Sequence, residues 1–210
     1  MIWLIGIGLL LVFMPTLWVR WVMNRYSAEL PDMPGTGGEL AQHLIKRLGL
    51  EGVGAETSDV GDHYDPESRM VRLSEGNWGG KSLTAIAVAA HEVGHAVQHH
   101  QNDARLAART KLIPIVTVLG QLSVGVLTVV PIIGLLTRHP APTLLIAGIG
   151  LSGLLFRMLL HLVTLPTEWD ASFGKALPVL KEGEFISPEQ EKIVRRVLGA
   201  AALTYFAAAL

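Results

Sequence analysis

The chain has 210 residues, half of them hydrophobic and only 17% charged, with 17 Lys and Arg against 18 Asp and Glu. That length allows one or two domains with a real core, but a mean hydropathy of +0.41 is not that of an ordinary soluble domain. A formal net charge of −1 leaves no basic footprint for nucleic acid, and the absence of cysteine excludes disulfides, thiolate metal sites and a cysteine nucleophile. Any bound metal must rest on His, Asp and Glu.

Taken in chain order, residues 1–23 read as an N-terminal membrane anchor. Met1 to Val19 carries no charge, matching the roughly 20 apolar residues needed for a hydrocarbon core of about 30 Å. No basic start or small-residue cleavage site marks a signal peptide, and Trp18, Arg20, Trp21, Arg25 and Tyr26 form an interfacial belt. Residues 24–111 form the first polar block. After a Pro/Gly linker from Pro31 to Gly38, Leu40, Leu44, Ile45 and Leu48 set a helical period over 39–48, and Gly49 marks its end. Val53 to Glu56 reads as a short strand. His63 to Asp65 and Met70 to Leu73 flank a Pro66–Arg69 turn, the pattern of a hairpin.

Ser82 is a plausible N-cap for a long run of good helix formers through Gln98. His91 and His95, four residues apart, project from one face about 6 Å apart along the axis, where two imidazoles can take adjacent corners of a tetrahedral zinc. Glu92 follows His91, within reach of a water at such a metal, which completes His-Glu-x-x-His. Apart from Glu92, nothing from Leu83 to Val97 is an acidic or basic side chain other than these histidines, so the helix must be buried. Two histidines and a glutamate are costly there without a partner, and a metal offsets that cost. The plainer alternative is a satisfied pair of core histidines.

Residues 112–165 read as a transmembrane hairpin. Leu112–Thr137 is uncharged, Ala141–Thr167 is broken only by Arg157 and His161, and Thr137 to Pro140, including Arg138, is the turn. Arg157 and His161 share a helix face, and snorkelling or structural pairing is the favoured reading for them. Ten Lys and Arg lie between Arg20 and Lys111 and five between Pro166 and Arg196. By the positive-inside rule both polar segments are then cytoplasmic and the N-terminus is outside, in a multi-pass protein of the cytoplasmic (inner) membrane.

Residues 166–196 form the second cytoplasmic segment, where a third zinc ligand is expected. Glu168 is the better candidate, with Asp170 as an alternative ligand or, more plausibly, as a carboxylate orienting a ligating imidazole. Glu168 could also cap a helix from Trp169 to Leu180. A last helix starts at Ser187-Pro188-Glu189. Residues 197–210, about 21 Å long as a helix, make a partial membrane or packing helix in which Tyr205 packs. His99 and His100 are expected on a solvated face.

His63-Tyr64-Asp65-Pro66, Val71-Arg72-Leu73-Ser74, the run from Ala85 to Gln98 and Glu168-x-Asp170-Ala171-Ser172 resemble the bacterial membrane-bound neutral zinc metallopeptidases of the YugP type, over nearly the whole chain. The resemblance implies a zinc-dependent, gluzincin-like endopeptidase with His91, His95 and Glu168 as ligands and Glu92 as catalytic base. The end of the chain departs from that pattern, since such relatives would be expected to carry a complete final membrane helix. The expected fold is mainly α, with three to four membrane helices and a small cytoplasmic α+β, zincin-like catalytic part bearing a short edge hairpin. A peptide or protein substrate would add to that edge as a β-strand, and His63, Tyr64 or Arg72 would hold the oxyanion. Gly94 is expected to let that strand pack closely. The alternatives are a non-catalytic membrane scaffold with a structural metal, which would close the site with four protein ligands, and an intramembrane metalloprotease. The second conflicts with a metal helix too short to span.

Overall fold

The computed structural model describes residues 2–137 and 139–209, with side chains described from residue 13 onward except at 205, 206, 208 and 209. Arg138, expected in the hairpin turn, and the packing role expected of Tyr205 fall outside the described residues.

Eight α-helices and three short strands make up the described chain. The N-terminal helix α1 (Ile2–Arg25) is followed by α2 (Gly37–Arg47), which starts at a capping box in which Thr36 and Glu39 each take the other's backbone N–H. The left-handed Gly49 (φ 63°) follows the end of α2. The strands β1 (Gly54–Thr57), β2 (His63–Asp65) and β3 (Met70–Leu73) form one sheet in the order β1-β3-β2. β3 pairs in parallel with β1 and antiparallel with β2, so β2 lies at an edge. The predicted turn between β2 and β3 is present: Asp65 Oδ1 accepts from the Glu67 N–H at 2.9 Å, and Arg69 takes a left-handed conformation.

A five-residue helix, α3 (Glu75–Gly79), leads to the central helix α4 (Leu83–His100). Ser82 caps α4 as predicted, its Oγ accepting from Ala85 N at 3.1 Å. α4 is buried from Leu83 to Ala96 between α2, the inner faces of β2 and β3, and the C-terminal part of the chain. Val71 and Leu73 of β3 and Tyr64 of β2 face this core. The end of α1 is tied to the start of α4, where Thr84 Oγ1 donates to the Met23 carbonyl at 2.9 Å.

Two long helices follow, α5 (Ala104–Thr137) and α6 (Pro140–Trp169). Both exceed the predicted spans. α5 begins two turns before the uncharged stretch, and α6 passes Pro166 and continues as a π-helical turn over Asp170–Ala176 and then α7 (Leu177–Glu182). Glu168 therefore stands inside a continuous helix and caps nothing, which corrects the expectation of a helix starting at Trp169. Among the described residues, Ala104–Thr137 and Pro140–Glu182 are long and apolar enough to cross a membrane. Their outer surfaces are bare hydrocarbon, with Leu135, Leu136 and Leu144 at least 70% exposed. The last helix, α8 (Pro188–Ala209), packs against α1, α4 and α6 through Val194, Val197, Leu198 and Ala200.

Candidate metal centre

α4 carries His91 and His95 on the face turned toward the end of α6, and the helix is apolar enough that both rings are buried. Glu168, also buried, arrives from α6 with its Oε2 at 3.4 Å from His91 Nε2 and 3.2 Å from His95 Nε2. Donors bound to one tetrahedral zinc at 2.0–2.2 Å lie about 3.4 Å apart, so these separations suit a shared metal ion. Glu168 comes from 73 residues beyond His95, across the whole α5–α6 hairpin.

The hydrogen-bond network settles which ring nitrogens face inward. Gln98 Nε2 donates to the Thr167 carbonyl at 2.9 Å and to Asp170 Oδ2 at 2.8 Å. Its Oε1 is thereby left to accept from His95 Nδ1–H at 2.9 Å. Ser172 Oγ donates to the Leu198 carbonyl and accepts from His91 Nδ1–H, both at 2.9 Å. Both Nδ1 atoms thus carry hydrogen, and the neutral rings turn bare Nε2 lone pairs toward one carboxylate oxygen. Lone pairs facing each other in a dry site repel unless positive charge lies between them. One divalent cation supplies that charge to all three groups, so the residues fit the metal.

The other carboxylate oxygen, Glu168 Oε1, is paired with Arg109 Nε of α5. Both groups are buried, so the guanidinium fixes the carboxylate plane and leaves Oε2 for the centre. Glu92 is buried beside the cluster, within electrostatic reach of His91, Glu168, Arg109 and Asp62, and burial pushes its carboxyl up to about 7. Gly94 admits the π-helical turn rather than a strand: a Cβ there would meet the Ala171 carbonyl oxygen at 2.6 Å. The extra residue of a π turn swings Asp170 and Ser172 toward α4, where Gln98 and His91 receive them.

His91, His95 and Glu168 thus meet, with their ligand atoms all within 4.8 Å of one another. Asp170 acts one residue removed from where it was expected, on Gln98 rather than on an imidazole. Each of the three candidate oxyanion donors is tied to a different partner. His63 Nδ1 contacts the Gly61 carbonyl at 3.0 Å, Tyr64 OH contacts His99 Nδ1 at 2.8 Å, and Arg72 pairs with Asp65 and Glu56 on the sheet. His99 is thus half-buried and engaged by Tyr64, while His100 is exposed as expected. Three functional positions escaped sequence reasoning. Gln98 follows His95 by less than a turn and Ser172 closes the Glu168 segment, so each carried a positional signal; Arg109 carried only its nearness to the uncharged stretch.

The family described as "Putative neutral zinc metallopeptidase" matches residues 1–210. The chain belongs to this family. It is 38% identical over 189 residues to the "Putative membrane protease YugP" of Bacillus subtilis (strain 168), covering 89% of this chain and 80% of that protein. No solved structure matches. Zinc is accordingly the metal of the family, the buried His91–His95–Glu168 group could hold such an ion, and a relative named as a membrane protease agrees with the two bare, span-length helices.

Proposed function

We propose that the chain is a membrane-bound zinc endopeptidase. Its metal is held by His91 Nε2, His95 Nε2 and Glu168 Oε2, and Glu92 serves as general base. The observation that carries this reading is the trio of inward-facing donors, which leaves the fourth tetrahedral corner without a protein ligand among the described residues. Held there, zinc would supply Lewis-acid polarisation of a peptide carbonyl and would make water acidic enough to be used near neutral pH. Glu92, one residue from His91 in a dry pocket and with its proton affinity raised toward neutrality, takes the proton from the attacking water and delivers it to the leaving amine. Ser172 and Gln98 hold the two imidazoles in one tautomer throughout, and Arg109 orients Glu168. The free edge of β2 offers its backbone to a peptide substrate added as a strand.

The proposed topology has α1, α5 and α6 in the inner membrane, the N-terminus outside, and the Lys- and Arg-rich segments 24–111 and 166–196 together in the cytoplasm. Residues 197–209 complete α8, whose Val197, Leu198 and Ala200 pack into the core. The test is zinc content and casein cleavage in detergent for the wild type and Glu92→Gln. The expected result is full zinc with cleavage reduced by at least 10³-fold; equal cleavage by the two proteins would remove Glu92 from the chemistry.

A further inference from the structure

The seam that carries the metal also carries polar groups that the proposed cleavage does not use. On α6, Arg157, His161, Thr164 and Glu168 recur at spacings of four, three and four, so they line one face. Facing contacts fix a constant register along the hairpin. Thr143 lies against Gly134, Leu127 against Gly150, Ser123 against Gly153, Arg157 against Gly120, and Arg109 pairs with Glu168. The hairpin thus keeps one register from Gly134 and Thr143 down to Arg109 and Glu168.

At 1.5 Å per residue Arg157 lies about 26 Å and His161 about 32 Å from Pro140, on either side of the far edge of a hydrocarbon core about 30 Å thick. Glu168 lies about 42 Å away by the same rise, outside that edge. At the edge itself a cleft of about 510 Å³ opens between α5 and α6. Arg157 and His161 line it from α6, and Thr117 and Gln121, exposed and one turn apart, line it from α5. Its remaining lining is Val and Gly. Gly120 gives the Arg157 side chain its room, because a Cβ there would come within 2.9 Å of Cδ.

We propose that this cleft binds the headgroup of an anionic phospholipid. A cation, an imidazole, an amide and a hydroxyl gathered within about 6 Å of the core's edge on an otherwise hydrocarbon surface match a phosphodiester with a hydrogen-bonding headgroup, Arg157 reaching up to it by snorkelling. The Val and Gly lining suits the first acyl carbons. The volume is in the range of a small-ligand site. Bound there, the lipid fixes the depth of the same helix face that presents Glu168 about 16 Å further on. The inference rests on the hairpin's crossing the bilayer and not on the cleavage chemistry.

The test is native mass spectrometry of the full chain in detergent with equal phosphatidylglycerol and phosphatidylcholine. The wild type is expected to retain one phosphatidylglycerol at least fivefold over phosphatidylcholine, and Arg157→Gln is expected to bring the ratio within twofold. Gln121→Leu, at an exposed position, keeps the fold and zinc content and lowers the ratio two- to threefold; it decides the matter if Arg157→Gln does not fold. Equal retention of the two lipids by the wild type, an unchanged ratio in Gln121→Leu, or displacement of the lipid by millimolar inorganic phosphate would overturn the proposal. Release of the protein from membranes by alkaline carbonate would instead overturn the membrane topology, and neither result bears on the Glu92→Gln assay.

Discussion

Replacing Gly94 by Ala tests whether the π-helical turn sets the metal geometry. The added Cβ would stand 2.6 Å from the Ala171 carbonyl oxygen and 3.2 Å from its carbon, both backbone atoms that no rotamer change can move aside. Reaching ordinary contact requires the turn to retreat by roughly 0.5–1 Å. Ala171 lies between Asp170 and Ser172, so that retreat stretches the 2.9 Å Ser172–His91 bond and the 2.8 Å Gln98–Asp170 bond past useful length. Overpacking costs about 1–3 kcal/mol, and Ala recovers about 1 kcal/mol of helix propensity, so the fold should lose only about 0–2 kcal/mol. Zinc affinity should fall far more, by about 10–100-fold, the usual penalty for disturbing the partners that orient metal ligands. Competitive zinc titration against a chromogenic chelator, alongside thermal unfolding, separates the two effects. Gly148→Ala, where a Cβ meets nothing within 4 Å, is the control. Zinc affinity in Gly94→Ala within twofold of the wild type would refute the reasoning, whatever the melting temperature did.

Three further expectations follow from the same network. Arg109→Gln leaves the Glu168 carboxylate buried without its cation and should destabilise the metal-free protein by about 3–5 kcal/mol. Because Arg109 also orients Glu168 for the metal, added zinc should recover less melting temperature in this variant than in the wild type, and an equal zinc-induced shift in both would count against that role. Ser172→Ala and Gln98→Leu should each lower zinc affinity about 10–100-fold, because each removes the acceptor that fixes one imidazole tautomer; unchanged affinity in both would discard the tautomer argument. The Asp65 carboxyl is held at about 2 by its hydrogen bond from Ser68 and by Arg72. A carboxyl lowered in the folded state stabilises it above the ordinary value and loses that contribution as pH falls from about 4 toward 2. Asp65→Asn should therefore flatten the acid limb of an unfolding curve over that window, and an unchanged limb would assign the acid sensitivity elsewhere.

What could be read from the residues was local. Ser82 announces the metal helix, the four-residue spacing of His91 and His95 places both rings on one face, and the Pro66–Arg69 turn announces the β2–β3 hairpin, because caps, periodicity and turn chemistry act within a few residues. Glu168 could be singled out by elimination, as a carboxylate just past the end of a long apolar segment. The unread part depended on contacts between segments far apart in the chain. Gly94 was matched to a strand because sequence shows that a glycine makes room but not for what. The continuation of α6 through Pro166 into a π turn has no distinct local signature. Arg109 looked like one more basic residue before a membrane segment, and only the register of α5 against α6 brings it to Glu168.

The order of the ligands along the chain has a consequence for biogenesis. His91 and His95 are synthesised well before Glu168, and the intervening 73-residue separation contains both arms of the hairpin. On the proposed topology, a nascent chain that has not yet reached Glu168 holds only two of the three zinc ligands. The third arrives when α5 and α6 have gone in and come back. On that topology the metal site is complete only once the hairpin has been made and has folded back to bring Glu168 against α4.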